Sequence, residues 1–139
     1  MTNFEYKKFL GLNDDIIKIR TSVFIDEQGF KNEFDETDKT CTHIVLYDNE
    51  KPIATCRYFK EGENYHIGRV ANIKEYRGQG VGNYIMQIAE SEIKNEDGQK
   101  IEVSAQVRVS VFYEKLGYKK AGDIYYDEYC EHIRMLKEL

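Results

Sequence analysis

The residues with the clearest chemical use are three alternate glycines, Gly78, Gly80 and Gly82, in the stretch Tyr76-Arg77-Gly78-Gln79-Gly80-Val81-Gly82-Asn83. Glycine lets a backbone turn through conformations closed to other residues and brings bare amides against a ligand. An apolar run, His66–Ile73, leads into the stretch, and a helix-period run, Asn83–Glu90, leads out of it. Strand, glycine loop and helix N-terminus in that order form an anion cradle, because the first amides of the helix and its dipole point at one spot. The expected ligand is a phosphate or pyrophosphate on the amides of Gly78, Gln79, Gly80, Val81, Gly82 and Asn83, with Arg77 beside it as a counter-charge. The spacing is not that of a P-loop, since Gly82 is followed by Asn83-Tyr84 where Lys and Ser or Thr would be needed. Nor is it the G-x-G-x-x-G of a dinucleotide fold, because the loop reads G-x-G-x-G and no ribose-binding carboxylate follows on a second strand. The plain alternative is a glycine-rich turn before a surface helix.

The elements that must position this loop follow from periodicity. Asn3–Phe9 alternates apolar and polar residues, the period of a half-buried strand. Asn13, Asp14 and Asp15 offer N-cap chemistry for a helix to about Gln28, with Ile16, Ile17, Ile19, Val23 and Phe24 on its apolar side and Gly29 as its stop. A polar loop over 31–42 carries Glu33, Asp35, Glu36 and Asp38. His43–Tyr47 and Ile53–Phe59 flank a turn at 48–51 and read as a hairpin, and the turn at 61–64 leads into a strand over 65–73. The helix after the glycine loop runs to about Asn95. A strand at Ile101–Gln106, a short helix at Ser110–Leu116 stopped by Gly117, and closing strands at Tyr118–Ile124 and Cys130–Met135 complete the chain. The order β-α-ββ-β-α-β-α-β-β predicts one α+β (mixed α/β) domain over residues 1–139.

Composition narrows the partners. A chain of 139 residues with 41% hydrophobic content supports one core. A net charge of −5 argues against a nucleic-acid surface, which is normally basic, and admits a cationic substrate. No apolar run nears the roughly 20 residues of a membrane span, and no signal peptide is read, so no membrane partner is expected. Cys41, Cys56 and Cys130 are odd in number and widely spaced. They match no metal pattern and point to reduced thiols in a cytoplasmic protein, as small core residues rather than nucleophiles.

Arg77, Gly80 and Gly82 resemble the Arg/Gln-x-x-Gly-x-Gly/Ala loop that binds the acyl-CoA pyrophosphate in the GNAT superfamily of N-acetyltransferases. Downstream, Ser104-Ala105-Gln106 and Ser110-Val111-Phe112-Tyr113-Glu114-Lys115-Leu116-Gly117-Tyr118 resemble a second stretch of that family, a strand followed by Asn-x-x-Ala-x-x-Leu-Tyr-Glu-Lys-x-Gly-Phe. Gln106 stands where Asn is usual. Val23–Gln28, the acidic loop around Asp35 and Asp38, Thr42-His43, Arg69–Ala71, Ala105-Gln106 and His132-Ile133 with Met135 are similar to the ElaA/YjcF branch, in which Gln follows the fifth strand.

The resemblance implies a GNAT fold, with a central, mostly antiparallel, splayed sheet flanked by helices. It implies an N-acetyltransferase that moves an acetyl group from acetyl-CoA, as co-substrate, to a primary amine by direct attack in a ternary complex, with no metal. The partners implied are acetyl-CoA and an amine acceptor, and a homodimer is left open. In the family, backbone groups at Val70, Ala71 and Asn72 bind the pantetheine like an added strand and polarise the carbonyl, and Gln106 bonds the same arm. The side chains of Val70 and Ala71 equally suit plain core. Tyr113 falls where the family places the acid that protonates the departing thiolate, although a tyrosine on a helix also packs well in a core.

The base is less marked. Ile101 stands where some members carry a base-like glutamate. Glu27, at the end of the first helix, could serve if a partly buried cleft raised its pKa; otherwise it is a surface charge. His43 and His132 have the right side-chain type, but a lone histidine on a strand is more often structural. Asp35 and Asp38, with Glu33 and Glu36, could form an acceptor-recognition rim, or a solvated loop. The rival to an enzyme is a non-catalytic acyl-CoA-binding sensor or interaction module.

Overall fold

The computed structural model describes residues 4–139, which form eight strands in one sheet and three α-helices. In chain order they are β1 (Phe4–Leu10), α1 (Asp14–Arg20), β2 (Thr42–Asp48), β3 (Lys51–Glu61), β4 (Asn64–Asn72), α2 (Val81–Asn95), β5 (Lys100–Gln106), α3 (Ser110–Lys115), β6 (Lys119–Lys120), β7 (Tyr125–Asp127) and β8 (Cys130–Glu138). The predicted first strand is present from Phe4; Asn3 lies outside the described residues. None of the described helices is long and apolar enough to cross a membrane.

Strand alternation divides the core in two. Along β2, Ile44 and Leu46 face one cluster, built with Val81, Ile85, Met86, Ala89 and Ile93 of α2. Val45 and Tyr47 face the other, built with Ile16 and Ile19 of α1 and with Val23 and Phe24. The sheet is thus covered by α2 on one face and α1 on the other, as a period of two requires when both faces are apolar. Fully burying such side chains contributes about 1.5–3 kcal/mol each.

The first helix is not continuous to Gln28. Asn13 caps α1, its Oδ1 accepting from the Ile16 amide at 2.9 Å. From Thr21 to Glu27 the chain widens into a π-helical turn, where adjacent Val23 and Phe24 both turn inward. Gly29, at φ 78°, ends it in the left-handed region. The predicted strand over 118–124 also differs. Only Lys119–Lys120 pair with β8, Gly122 turns at φ 118°, and Tyr125–Asp127 return to β8 as a separate short strand. By contrast β8 outruns its predicted end at Met135 and stays paired with β5 to Glu138.

One junction positions the site. Strands run in the order β1-β2-β3-β4-β5-β8-β6, with β7 also on β8. All neighbours are antiparallel except β4 and β5, which pair in parallel over only three positions, Tyr65–Ile67 against Ile101–Val103. Beyond Ile67 each strand keeps its outer partner: β4 stays on β3 to the Asn72–Ala54 pair, and β5 stays on β8 to the Gln106–His132 pair. A bulge interrupts the β3–β4 register between Thr55 and Arg57, and Arg69 on β4 takes φ 51°. A non-glycine residue in that region is strained, and bulges re-aim backbone beside functional sites. The two inner strand edges therefore open into a wedge.

Candidate active site

The wedge is a cleft of about 480 Å³. Its walls are Gly68–Val70 and Asn72 of β4, Ser104 and Gln106 of β5, Phe24, Glu27 and Gln28 at the end of the first helix, Tyr113 of α3, and Asp127 and His132 of the β7–β8 hairpin. The hairpin closes one side by aromatic packing. Tyr129 lies on Phe30 with ring centres 5.3 Å apart, and its hydroxyl donates to the Gln28 carbonyl. The Glu128 carboxylate accepts from the amides of Lys31 and Asn32 at 2.9–3.1 Å.

The glycine loop lies at the end of β4. Gly78 and Gly80 take φ 76° and 77°, conformations that side chains strain, and Gly80 caps α2. Tyr84 is bonded back to the Gly80 carbonyl at 3.0 Å, so the amides of Val81, Gly82 and Asn83 form the first, unpaired turn of the helix. Gly82 lies against the Phe112 ring, which an added Cβ would touch at 3.4 Å, an ordinary van der Waals contact. Arg77 does not reach out as a free cation. Its guanidinium grips both carboxylate oxygens of Glu27 at 2.7 and 2.8 Å, and its Nε donates to the Asn72 carbonyl at 3.1 Å. The bidentate Arg77 contact holds the Glu27 carboxyl below its ordinary range, the reverse of the upward shift expected for a base.

Two side-chain amides leave polar atoms unpaired at the wedge. Gln106 donates from Nε2 to Gln28 Oε1 at 2.8 Å, and its own Oε1 is buried without a partner. Asn72 donates to the Tyr76 carbonyl at 3.1 Å, and its Oδ1 is likewise buried and unpartnered. Native interiors seldom tolerate such atoms, so each marks a place for a donor from outside the chain. Val70 lines the cleft half-buried, while Ala71 is 2% exposed in the α1-side core. Tyr113 lines the cleft on the other wall; burial raises its phenol pKa, so it keeps its proton at neutral pH.

The acidic loop is not an open rim. Asp38 is fully buried, accepting from Arg20 at 2.6 and 3.0 Å, from Arg57 at 2.8 Å and from the Asp35 amide at 2.9 Å. Burial opposes its charge, yet these bonds overcome it and hold the carboxyl far below the carboxylate range. Asp35 is paired with Arg57 at 2.7 Å and lies 3.4 Å from Arg69. Glu33 lines the cleft from beneath, its Oε2 2.8 Å from Arg20 and 3.2 Å from Arg69. Burial outweighs both guanidiniums and raises the Glu33 carboxyl. His43 is fully buried, with Nε2 3.0 Å from the Asp38 carbonyl and 3.4 Å from Cys41 Sγ. Burial lowers its pKa, so it is neutral. Asp38, Cys41 and His43 come together, but two guanidiniums already occupy the carboxylate. The Cys56 thiol, also buried, is pushed up to about 12.

Of the residues singled out from sequence, the structure therefore brings Glu27, Val70, Asn72, Arg77, Gln106 and Tyr113 around one cleft and leaves Asp38 and His43 inside the protein. The residues missed were Gln28 and the arginines at 20, 57 and 69. One signal existed for Arg20: it follows Ile16 and Ile19 on the buried face of the helix, where a charge is kept only if paired.

Residues 14–139 match the family described as an acetyltransferase (GNAT) domain. The chain is 30% identical over 139 residues to an N-acetyltransferase of Bacillus subtilis (strain 168), YjcF, covering 95% of this chain and 99% of that one. Its structure is similar to that of Escherichia coli ElaA, with a TM-score of 0.85, 24% identity and coverage of 98% and 100%. A GNAT family acetyltransferase from Elizabethkingia anophelis, solved with acetyl-CoA bound, gives a TM-score of 0.78 at 14% identity, covering 99% of each chain. A family match over nearly the whole chain, joined to a β4–β5 wedge that ends in a glycine loop, places this chain in the GNAT family of acetyltransferases, as an acyltransferase of the ElaA/YjcF-like kind.

Proposed function

We propose that the chain transfers an acetyl group from acetyl-CoA to a primary amine within a ternary complex. The observation that carries this reading is the wedge between β4 and β5, with Tyr113 on a side wall and, one short turn after β4 in the chain, the unpaired first amides of α2. Acetyl-CoA suits it along its length. The pyrophosphate would rest on the amides of Gly78–Asn83, where the helix dipole favours an anion. The pantetheine arm carries two amide N–H groups, and the buried oxygens of Gln106 and Asn72 lack donors. The β4 edge at Val70–Asn72 would bond the arm as an added strand, and one of its amides would polarise the thioester carbonyl.

The chemistry then needs little more than placement and proton transfer. A neutral amine attacks the carbonyl carbon, the C–N bond forms and the C–S bond breaks. Tyr113, protonated at neutral pH, gives a proton to the leaving sulfur. The acceptor side is the first-helix end with Glu27 and Glu33, carboxylates that would attract an ammonium group before it loses its proton. Asp35 contributes through Arg69 and Arg57 rather than by direct contact.

Free thiol release from acetyl-CoA, followed with spermidine, glucosamine, lysine amide and an alanyl peptide as acceptors, tests the reading. Turnover with one of these amines and recovery of its N-acetyl product is the expected result. Micromolar acetyl-CoA binding with no product from any amine would instead make the protein an acyl-CoA-binding sensor.

A further inference from the structure

The wedge contains one basic side chain whose surroundings dictate which of its atoms carries a proton. His132, on β8, is 7% exposed and lines the cleft. It is the register partner of Gln106 at the open end of β5. Its Nδ1 lies 3.1 Å from the Cys130 carbonyl oxygen. A carbonyl oxygen only accepts, so Nδ1 carries hydrogen. In the neutral ring that leaves Nε2 with a lone pair, and it is the nitrogen not engaged with the backbone.

The ring is also held in orientation. The Tyr125 ring stacks on it with centres 5.9 Å apart, and Tyr125 is fixed in turn by a bond between its hydroxyl and that of Ser104. Phe30 meets its edge at 6.4 Å. A buried imidazole with one nitrogen tied to a carbonyl and the ring clamped between aromatics is a pre-set proton acceptor.

Of the other acid–base groups at the cleft, Asp127 is exposed, and Glu27, Glu33 and Tyr113 fit that task poorly. Both oxygens of Glu27 are gripped by Arg77. Glu33 shares one oxygen between Arg20 and Arg69. Tyr113 enters the reaction protonated. We propose that Nε2 of His132 is the general base that deprotonates the acceptor ammonium, an assignment that rests on the acetyl-transfer reading given above. The ammonium loses one proton to Nε2, and the neutral amine attacks the thioester. As the C–S bond breaks the sulfur takes a proton from Tyr113, and the second proton of the new C–N nitrogen passes to the Tyr113 phenolate and restores the phenol. Nε2–H then returns its proton to solvent, so one acetyl-CoA and one ammonium give one amide, one thiol and one proton.

The charged and titratable groups that line the cleft with His132 are Glu27, Glu33, Arg69, Arg77, Arg108, Tyr113 and Asp127, with Tyr125 stacked on its ring, and the strands paired with β8 also carry Lys100 and Glu102 on β5 and Lys119 and Lys120 on β6.

The test is the rate of thiol release with the amine that the wild-type protein acetylates, read against pH, beside acetyl-CoA affinity by calorimetry. His132→Gln keeps an N–H donor for the Cys130 carbonyl but cannot take up a proton. It should lower kcat/KM for the amine by about 10²–10⁴-fold and abolish the acidic limb of the profile, with acetyl-CoA affinity unchanged. Added imidazole should restore part of the rate to His132→Ala, which answers the question even where Gln disturbs packing. A His132→Gln enzyme within threefold of wild type with the same pH profile, or a His132→Ala enzyme that imidazole does not rescue, overturns the assignment and leaves the transferase reading standing. A wild-type protein that binds acetyl-CoA and acetylates none of the amines overturns both.

Discussion

Tyr113 and the Arg20–Asp38 pair show how differently two buried polar residues behave. Tyr113 lines the cleft with a phenol that burial keeps protonated, as the proposed donation to a leaving thiolate requires. Tyr113→Phe keeps the ring between Phe112 and Tyr118. It should lower kcat by about 10²–10⁴-fold with acetyl-CoA affinity within twofold, measured by steady-state kinetics and calorimetry. Arg20 serves the fold. Arg20→Met strips a donor from Asp38 and Glu33 inside the protein, leaving Asp38 to Arg57 and Glu33 to Arg69 alone, and should cost about 3–5 kcal/mol in urea unfolding as one partner of a buried ion-pair network is lost. The same network predicts acid sensitivity. His43 has a lowered folded pKa, so its contribution is present above about pH 6.5 and falls as the unfolded chain takes up protons below it. Asp38 and Asp35, also lowered, lose theirs below about pH 4, while Glu33, raised, opposes them in part. Urea midpoints should therefore decline in two steps between pH 8 and 3, and His43→Asn should remove the first.

At the scale of elements, the glycine loop separates into two functions that spacing alone merges. Gly80 is glycine for its backbone, at φ 77° with open space around it. Gly82 has no such backbone demand and lies against the Phe112 ring, toward which a branched side chain would extend. Gly80→Val should distort the loop and weaken acetyl-CoA about 10-fold or more, the equivalent of one lost charge-assisted hydrogen bond, with kcat at saturation little changed. Gly82→Val should move Phe112 and its neighbour Tyr113, so that kcat falls along with affinity. Calorimetry and saturation kinetics on both variants distinguish the two effects. The elements themselves were legible where periodicity and punctuation agree: β2, β3, β4, α2 and β5 fall where alternation and the glycines place them, and α1 begins where Asn13 caps it. Two were not. The π-helical turn at Thr21–Glu27 has an ordinary helical pattern in sequence, because widening by one residue per turn leaves no local mark. β6 and β7 are exposed along their length, so no buried face imposes a period on residues 119–127.

The whole molecule is a sheet held apart at one seam. Three parallel pairs join β4 to β5, and two outer partners pull the strands away beyond them. This arrangement could not be read from either strand's own residues, since β4 and β5 look like ordinary core strands; only the resemblance of the glycine loop and the Tyr113 segment to GNAT sequences implied it. The same holds for the acceptor wall. An acidic loop looks solvated in sequence, whereas three arginines distant along the chain, at 20, 57 and 69, hold Glu33 and Asp38 inside the protein and pair with Asp35 at its surface. The central claim is that acetyl-CoA lies in the β4–β5 wedge with its pyrophosphate on the α2 amides. A crystal structure of the protein with acetyl-CoA tests it most directly. The expected result is a pantetheine arm bonded to the Val70–Asn72 edge and to Gln106, with phosphate oxygens within about 3 Å of the amides of Gly80–Asn83 and the thioester beside Tyr113. Acetyl-CoA bound anywhere else on the molecule, with the wedge empty, would contradict the account.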